Sequence, residues 1–182
     1  MAAARKIPPS RWAQIRLFAM DVDGVLTDGT VAVSSDGTES KRFSVLDGLG
    51  LGLLRDSGMP LAWISGRASG ATTVRATELR IPHVIQDRKD KLAALTELAG
   101  RLGLGLAQCA YMGDDTIDVP ALRAAGIGVS VPGAAAEVLA AAGYVTRRAA
   151  GLGAVREVCD LLLAASASRT GNPRPKQATH PR

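Results

Sequence analysis

Short apolar runs of strand length alternate along this chain with longer segments that have the spacing of amphipathic helices. Each apolar run stops at a polar or glycine-rich cluster, which is typical of repeated strand-helix-strand units. Strands that are apolar throughout indicate burial on both faces, as in a parallel sheet covered by helices. The predicted strands are Arg16–Met20, Pro60–Ile64, His83–Ile85, Ala107–Met112, Ile127–Val131 and Tyr144–Val145. We therefore predict an α/β fold, a doubly wound, Rossmann-like parallel sheet with helices on both faces.

The segments between these strands predict helices, and a hairpin is inserted after the first strand. Gly58 and Gly103 each follow one helical segment, as glycine commonly does where a helix ends. The predicted helices are Asp47–Ser57, Ser69–Arg80, Lys89–Leu102, Val119–Ala125, a short one from Ala134, and Ala154–Ala165. Val31–Ser34 and Lys41–Val45 alternate in polarity around the turn at residues 35–38, which predicts an inserted β-hairpin.

Composition predicts one domain between two basic tails. The chain has 182 residues, 47% of them hydrophobic, and is long enough to bury one core without disulfide or metal support. Its net charge of +5 comes from the ends, because residues 1–11 hold three basic residues, residues 167–182 hold four, and neither end holds an acid. We predict a flexible basic N-terminus at residues 1–13, a domain at 14–166 and a disordered basic tail at 167–182.

Charge and cysteine usage indicate a cytoplasmic protein. Without its ends the chain is mildly acidic, and the full chain has only 3% aromatic residues, which does not favour nucleic-acid binding. The alternative, that the tails bind nucleic acid, predicts a salt-sensitive association that is lost on deleting residues 167–182. Cys109 and Cys159 fit no metal or redox spacing, and no apolar run resembles a membrane span or signal sequence. We predict a cytoplasmic location and neither nucleic-acid nor membrane partners.

Three polar clusters lie where three predicted strands end. They are Asp21 with Asp23, Ser65 with Arg67, and Asp114 with Asp115 and Asp118. Ligands bind at the carboxyl ends of the strands in an open parallel sheet, so these clusters are expected to converge. Crowded carboxylates repel one another unless a cation neutralises them, and ligands that are all oxygen select Mg²⁺. Asp21 and Asp114 fit direct contact with the metal, with Asp115 and Asp118 behind them.

The paired aspartates at the first strand end have the chemistry of phosphoryl transfer. Gly24 permits a tight turn that brings Asp21 and Asp23 to one pocket. Asp21 can attack phosphorus to give an aspartyl-phosphate, while Asp23 protonates the departing alcohol and later takes a proton from water. Ser65 and Lys91 can hold the non-bridging phosphate oxygens. The sequence therefore predicts a phosphomonoester phosphatase.

Several of these residues also have structural interpretations. A lone Asp-x-Asp is commonly a turn or a helix cap. Asp115 and Asp118 can cap the helix predicted from Val119, and for Asp118 capping and metal support remain equally open. Ser65 fits a polar turn as well as a phosphate contact, whereas Lys91 is misplaced for a surface lysine because cations favour helix C-termini.

Four motifs in order resemble those of the haloacid dehalogenase phosphatases. Residues Asp21–Gly29 resemble the first motif, Ile64–Arg67 the second, Lys91 the third and Gly113–Asp118 the fourth. Lys41–Gly50 and Gly153–Leu163 narrow the resemblance to the capless 3-deoxy-D-manno-octulosonate 8-phosphate phosphatase family, and it covers roughly residues 14–164.

That resemblance implies a site, a cofactor and an assembly. It implies no cap domain, a Mg²⁺ cofactor, a sugar-acid phosphate substrate and a role in lipopolysaccharide biosynthesis. It also implies a homotetramer with the hairpin at the subunit contacts and each active site near a neighbouring subunit. The catalytic residues would be Asp21, Asp23, Ser65 and Lys91, the metal ligands Asp21, Asp23 and Asp114, and the outer metal residues Asp115 and Asp118. The substrate contacts would be Asp23, Ser44, Val45, Leu46, Asp47, Gly48, Arg67, Arg75 and Lys91.

The chain departs from the family pattern at positions that bear on substrate choice. Gly52 and Leu152 stand where the family often has arginine, and Gln86 is followed by Asp87 rather than glycine. Since arginine pairs with carboxylate and phosphate, these departures keep open a phosphatase for a nine-carbon sialic-acid-type 9-phosphate or another sugar phosphate. A separate alternative is a non-catalytic assembly domain partnered with a sugar nucleotidyltransferase, against which the intact Asp21, Asp23, Lys91 and Asp114 argue.

Overall fold

A sheet of six parallel strands forms the centre of the protein, whose residues 7–170 are described by a computed structural model. The strands of this sheet are β1 (Leu17–Met20), β4 (Leu61–Ile64), β5 (His83–Ile85), β6 (Cys109–Met112), β7 (Ile127–Ser130) and β8 (Tyr144–Val145). They pair in parallel in the order β5-β4-β1-β6-β7-β8. The chain winds outward from β1 in one direction and then restarts at β6 on its other side. The predicted strands and the doubly wound fold are confirmed.

Helices cover both faces of the sheet. Within residues 7–170 they are α1 (Pro9–Trp12), α2 (Val45–Asp56), α3 (Gly70–Glu78), α4 (Lys91–Arg101), α5 (Val119–Ala124), α6 (Ala136–Ala141) and α7 (Ala154–Thr170). Buried side chains of α1, α2, α3 and α7 form one apolar cluster with the sheet, and those of α4, α5 and α6 form the other. Single 3₁₀ turns precede β6 and α5. The helices begin and end within a few residues of the predicted limits.

The central strand β1 shows why these segments read as uninterrupted apolar runs. Phe18 and Met20 point into the first cluster, whereas Leu17 and Ala19 point into the second. All four side chains are fully buried, because successive residues of a strand face opposite sides of the sheet. Each of these residues therefore contributes to one of the two cores.

The inserted hairpin is present, but its second strand is not where the sequence predicted it. β2 (Ala32–Val33) pairs antiparallel with β3 (Glu39–Ser40), so the predicted strand Lys41–Val45 is wrong. Val45 instead begins α2, because the Ser44 hydroxyl accepts the Asp47 amide at 3.3 Å and caps that helix. The segment with alternating polarity therefore leads into a helix and does not form a strand.

Helices extend beyond both predicted limits of the domain. The predicted flexible N-terminus contains α1, whose Trp12 is buried and packs edge-on against Tyr144, with ring centroids 5.6 Å apart. At the other end α7 runs to Thr170, four residues beyond the predicted limit of the domain. The remaining parts of the predicted tails, residues 1–6 and 171–182, lie outside the described residues. No helix in the described part of the chain is both long and apolar enough to cross a membrane.

A buried carboxylate joins the helix that follows the hairpin to the last helix. Asp47, on α2, accepts hydrogen bonds from the Gly153 amide at 3.1 Å and the Arg156 amide at 2.7 Å. These amides belong to the first turn of α7 and the residue before it, where backbone donors have no partner within the helix. Asp47 therefore caps α7 from a position 106 residues earlier in the chain.

Replacing Asp47 with alanine is expected to lower the free energy of unfolding by about 2 kcal/mol, because two amides at the start of α7 lose their acceptor. Urea denaturation monitored by circular dichroism measures this change. Asp56→Ala is the matched control on the same helix, since Asp56 is exposed and pairs with the adjacent Arg55, and it is expected to change little. Equal effects of the two substitutions would contradict a capping role for Asp47.

Candidate active site

The three predicted polar clusters meet in one pocket at the carboxyl ends of β1, β4 and β6. The pocket has a volume of about 490 Å³. Its lining residues are Asp21, Asp23, Gly29, Ser65, Gly66, Arg67, Lys89, Asp114, Asp115 and Ile117. The pocket lies where the winding direction of the sheet reverses, between β1 and β6. The predicted convergence of these clusters is confirmed.

A glycine turn brings the first aspartate loop against the loop that follows β6. Gly24 has φ +82°, in the left-handed region that glycine adopts without strain. A Cβ atom at this position would lie 2.0 Å from Oδ2 of Asp114. The turn therefore needs glycine both for its backbone conformation and for the space that the Asp114 carboxylate occupies.

Asp21 is held by a buried ion pair. The ammonium of Lys91, whose side chain has no exposed surface, lies 2.7 Å from Oδ1 of Asp21 and also donates to the Ile64 carbonyl. The Val22 amide donates to the same carboxylate oxygen at 2.7 Å. Neither hydrogen bond involves Oδ2 of Asp21. Asp21 is thus oriented with one oxygen fixed and the other available for chemistry.

Asp118 supports the loop after β6 rather than capping α5. Its Oδ2 accepts the amides of Asp114 and Asp115 at 3.1 and 3.2 Å, and its Oδ1 accepts the Tyr111 hydroxyl at 2.6 Å. It makes no side-chain capping bond to α5. Its bond to the Asp115 amide caps the 3₁₀ turn before α5, while a role in supporting the metal stays a prediction. The supporting hydroxyl of Tyr111 was not predicted, and its one signal in the sequence is a polar group within an apolar strand.

Asp115 and Ser65 form local hydrogen bonds beside the pocket. Asp115 accepts the Thr116 amide at 2.6 Å, so it caps the 3₁₀ turn that precedes α5. The Ser65 hydroxyl donates to the Arg67 carbonyl at 2.9 Å and is almost fully buried. Both residues line the pocket, and a local turn role therefore accompanies the predicted functional one.

The acidic cluster has the features of a cation site. Carboxylate oxygens of Asp21, Asp114 and Asp118 lie within 4.8 Å of one another, and Oδ1 of Asp114 is buried without a hydrogen-bond partner. Burial, followed by the charges of Asp21 and Asp118, raises the pKa of Asp114 to about 7. Burial and the charge of Asp118 likewise raise the pKa of Asp21 to about 6, against the opposing effect of Lys91.

A divalent cation would relieve this repulsion and satisfy the unpaired oxygen. Asp118 already accepts three hydrogen bonds, which leaves Asp21 and Asp114 as the carboxylates best placed to bind it. The predicted metal ligand Asp23 is different, because its carboxylate pairs with a lysine rather than joining the cluster. The donor set fits Mg²⁺, which binds few protein carboxylates and prefers oxygen ligands.

The lysine that contacts Asp23 is Lys41, which the sequence prediction missed. Its ammonium donates to Oδ2 of Asp23 at 3.0 Å and lies 2.7 Å from Oδ1. Lys41 comes from the segment between the hairpin and α2. The sequence contains no local signal for this contact, because it depends on how the hairpin returns to the sheet.

The predicted substrate residues divide into two groups. Arg67 lines the pocket and forms an ion pair with Glu39 of β3. Arg75 instead packs against Gly48, pairs with Glu78 and donates to the Ser44 carbonyl at 3.4 Å. Of the segment Ser44–Gly48, no residue lines this pocket, and Asp47 is occupied in capping α7. Within one described chain, Arg75 and Ser44–Gly48 do not line the pocket, and their contact with substrate stays a prediction.

Comparison with known families agrees with this fold and site. Residues 63–158 match the haloacid dehalogenase-like hydrolase family, and this segment carries the end of β4, Lys91, β6 and the acidic loop after it. The match, the doubly wound sheet and the acidic pocket at its switch point define a haloacid dehalogenase-like hydrolase.

Individual relatives narrow the assignment. The 3-deoxy-D-manno-octulosonate 8-phosphate phosphatase of Yersinia pestis is 45% identical over 155 residues, covering 85% of this chain and 83% of the relative. The structure of such a phosphatase from Moraxella catarrhalis, in complex with magnesium ion, phosphate ion and a KDO molecule, is 48% identical with a TM-score of 0.86, covering 90% of this chain and 94% of the relative. The cobalt-bound form of the Haemophilus influenzae enzyme is 36% identical with a TM-score of 0.83, covering 86% and 92%.

This chain therefore belongs to the capless 3-deoxy-D-manno-octulosonate 8-phosphate phosphatase family, as the motifs predicted. The hairpin is the sole insertion after β1 within the described residues, in agreement with the absence of a cap domain.

Replacing Asp114 with asparagine is expected to stabilise the metal-free protein at neutral pH by about 1–2 kcal/mol, because it removes a buried charge held among others. The pKa of Asp114 in the folded protein, about 7, lies above the usual 3.8. The stability of the wild type is therefore unaffected by this group below about pH 4 and decreases as the pH rises through about 7. The advantage of the variant should therefore appear over that interval.

Urea unfolding in chelator and in Mg²⁺ measures both effects. Mg²⁺ is expected to stabilise the wild type and to have little effect on Asp114→Asn. Asp160→Asn, an exposed aspartate on α7, is the control and should keep the Mg²⁺ response. An undiminished Mg²⁺ response in Asp114→Asn would contradict its role as a ligand.

Proposed function

We propose that this protein is a Mg²⁺-dependent phosphatase that hydrolyses 3-deoxy-D-manno-octulosonate 8-phosphate through an aspartyl-phosphate intermediate. The observation that carries the proposal is the fixed carboxylate of Asp21 beside the unpaired buried oxygen of Asp114. One group provides an oriented nucleophile and the other a cation ligand. The activity named for its relatives supports the same conclusion.

Asp21 is proposed to attack phosphorus with Oδ2, since Lys91 and the Val22 amide hold Oδ1. A bound Mg²⁺ would neutralise the crowded carboxylates and polarise the phosphoryl group. Lys91 holds Oδ1 of Asp21 in place and opposes the rise that burial causes in the pKa of this carboxylate. The product of this step is an acyl phosphate on Asp21 and the free alcohol of the sugar acid.

Asp23 is proposed to move the protons. Its carboxyl gives a proton to the leaving oxygen as the phosphorus–oxygen bond breaks, then takes one from the water that hydrolyses the acyl phosphate. Asp23 lines the pocket and its side chain is 23% exposed, so it can contact a substrate that enters from solvent. Ser65 and Arg67, which also line the pocket, are proposed to contact the phosphate or the sugar acid.

The substrate is the less constrained part of the proposal. Gly52 and Leu152 stand where the family often has arginine, so neither position supplies a cation. Both positions are open, because a Cβ at Gly52 would meet no atom within 4 Å and Leu152 is 69% exposed. A nine-carbon sialic-acid-type 9-phosphate or another sugar phosphate is therefore the second candidate. The eight-carbon ester stays first because the relatives that cover most of this chain act on it by name.

A homotetramer in the cytoplasm is proposed as the working form. Val33 on the hairpin is 70% exposed and Val45 at the start of α2 is 80% exposed, an unusual display of large apolar side chains near one another along the chain. Subunit contacts at these side chains would bring the segment Ser44–Gly48 close to a neighbouring subunit. There the segment is proposed to contact the substrate, as the family resemblance implies. The buried free thiols of Cys109 and Cys159 support a reducing compartment.

Phosphate release across a panel of sugar phosphates tests the proposed function. We expect Mg²⁺-dependent turnover fastest with 3-deoxy-D-manno-octulosonate 8-phosphate, and a loss of at least about 10³-fold in Asp21→Asn because the nucleophile is removed. Asp36→Asn, in the hairpin turn, is the control and should retain activity. Equal or faster turnover of the nine-carbon ester would favour the second substrate, and no turnover of any ester would favour the assembly role.

Sedimentation velocity tests the assembly. A tetramer is expected for the wild type and smaller species for Val33→Glu, because a carboxylate buried at a subunit contact is costly. Val84→Glu, on edge strand β5 of the main sheet, is the matched control and should remain tetrameric. A wild type that sediments as a monomer at micromolar concentration would contradict the proposal.

A further inference from the structure

The segment that returns from the hairpin places a lysine in the active site. Lys41 directly follows β3, and its side chain has no exposed surface. The ammonium contacts both carboxylate oxygens of Asp23, at 2.7 and 3.0 Å, and also donates to the Thr72 hydroxyl at 3.3 Å. Thr72 is itself fully buried on α3. Lys41 therefore joins the hairpin, the aspartate loop and α3 at one point.

A lysine in this position needs a strong reason to stay buried. Lysine is rarely fully buried, because its ammonium loses hydration and its flexible stem usually reaches solvent. Here contacts with Asp23 and Thr72 replace the hydration that the ammonium loses on burial. Removing either Lys41 or Asp23 would leave the other with an uncompensated charge. The pairing therefore restricts both side chains, and the carboxylate of Asp23 has one defined orientation in the pocket.

The hairpin is tied down by a second set of contacts beside the first. Glu39 pairs with Arg67, accepts the Ser69 hydroxyl at 2.5 Å and lies 3.9 Å from the Lys41 ammonium. These contacts hold β3 against the loop after β4 and the start of α3. Lys41 thus extends from a segment whose own position is fixed, as a positioning group requires.

We propose that Lys41 positions Asp23 for proton transfer, a role that rests on the proposed phosphatase function. Lys41 gives and takes no proton in either step: Asp23 supplies the proton to the leaving oxygen and recovers one from water. The ammonium donates to Oδ2 of Asp23 and lies 2.7 Å from Oδ1, which accepts no hydrogen bond, and this pairing restricts the rotation of the carboxyl group. General acid catalysis demands hydrogen-bond reach to the departing oxygen, so a carboxyl that rotates away loses much of its effect.

The distinguishing measurement is the dependence of kcat/KM on the leaving group. A good leaving group such as 4-nitrophenolate departs with little help from an acid, whereas phenolate needs more and an alkoxide needs most. Lys41→Met is expected to lower kcat/KM for phenyl phosphate and for the sugar-acid phosphate on the order of 10-fold to 100-fold, with a loss of only a few-fold for 4-nitrophenyl phosphate. Phenyl and 4-nitrophenyl phosphate have similar shapes, so their ratio reports acid catalysis rather than binding.

Two further variants separate positioning from folding and from charge. Arg42→Met removes the neighbouring cation, which is exposed and pairs with Asp28 at the surface, and its ratio of the two aryl esters should equal that of the wild type. Lys41→Arg keeps a cation but changes its shape, so its ratio should lie between those of the wild type and Lys41→Met. Lys41→Arg also carries the test if circular dichroism shows that Lys41→Met does not fold.

The possible results distinguish the positioning role of Lys41 from the proposed phosphatase function. Equal losses on both aryl esters, or no loss in folded Lys41 variants, would overturn the positioning role while leaving the phosphatase function intact. A wild type without activity on any ester would overturn both. The result that supports the proposal is a larger ratio of kcat/KM for 4-nitrophenyl phosphate to kcat/KM for phenyl phosphate in Lys41→Met, with that ratio unchanged in Arg42→Met.

Discussion

The ion pair between Lys91 and Asp21 is the contact on which the rest of the site depends. Several carboxylates crowd the ends of β1 and β6, and their mutual repulsion together with burial disfavours the ionised forms that catalysis and metal binding require. Lys91 supplies a buried positive charge at the centre of this group, 2.7 Å from Asp21 and 3.9 Å from Asp118. Its further bond to the Ile64 carbonyl joins α4 to the ends of β1 and β4.

The loops around this ion pair contribute different residues to the site. The loop after β1 carries Asp21 and Asp23, the loop after β6 carries Asp114, and Asp118 with Tyr111 holds that second loop in place. The segment that returns from the hairpin adds Lys41, whose ammonium contacts the Asp23 carboxylate, and this segment leads directly into α2.

The sequence predicted the features that follow from the sheet alone. Asp21, Ser65 and Asp114 each follow an apolar strand, and parallel strands end at the same edge, so their meeting needed no knowledge of side-chain packing. Lys41 could not be found this way, because its contact with Asp23 depends on the direction in which the hairpin folds back. The same limit applies to Asp47, whose amide partners arrive only with α7. Val45 was misplaced in a strand because the capping hydroxyl of Ser44 outweighed the local alternation.

Gly24 has a consequence for how this site can vary. The space where its side chain would be is filled by the carboxylate of Asp114, 2.0 Å from the position of a Cβ. Even a methyl group there would push the loop that carries Asp21 and the Asp114 carboxylate apart while straining the turn at Gly24. A residue that has no functional atom therefore tolerates less change than many that do, and a screen of all substitutions in this loop would find the residue without a side chain among the most restricted.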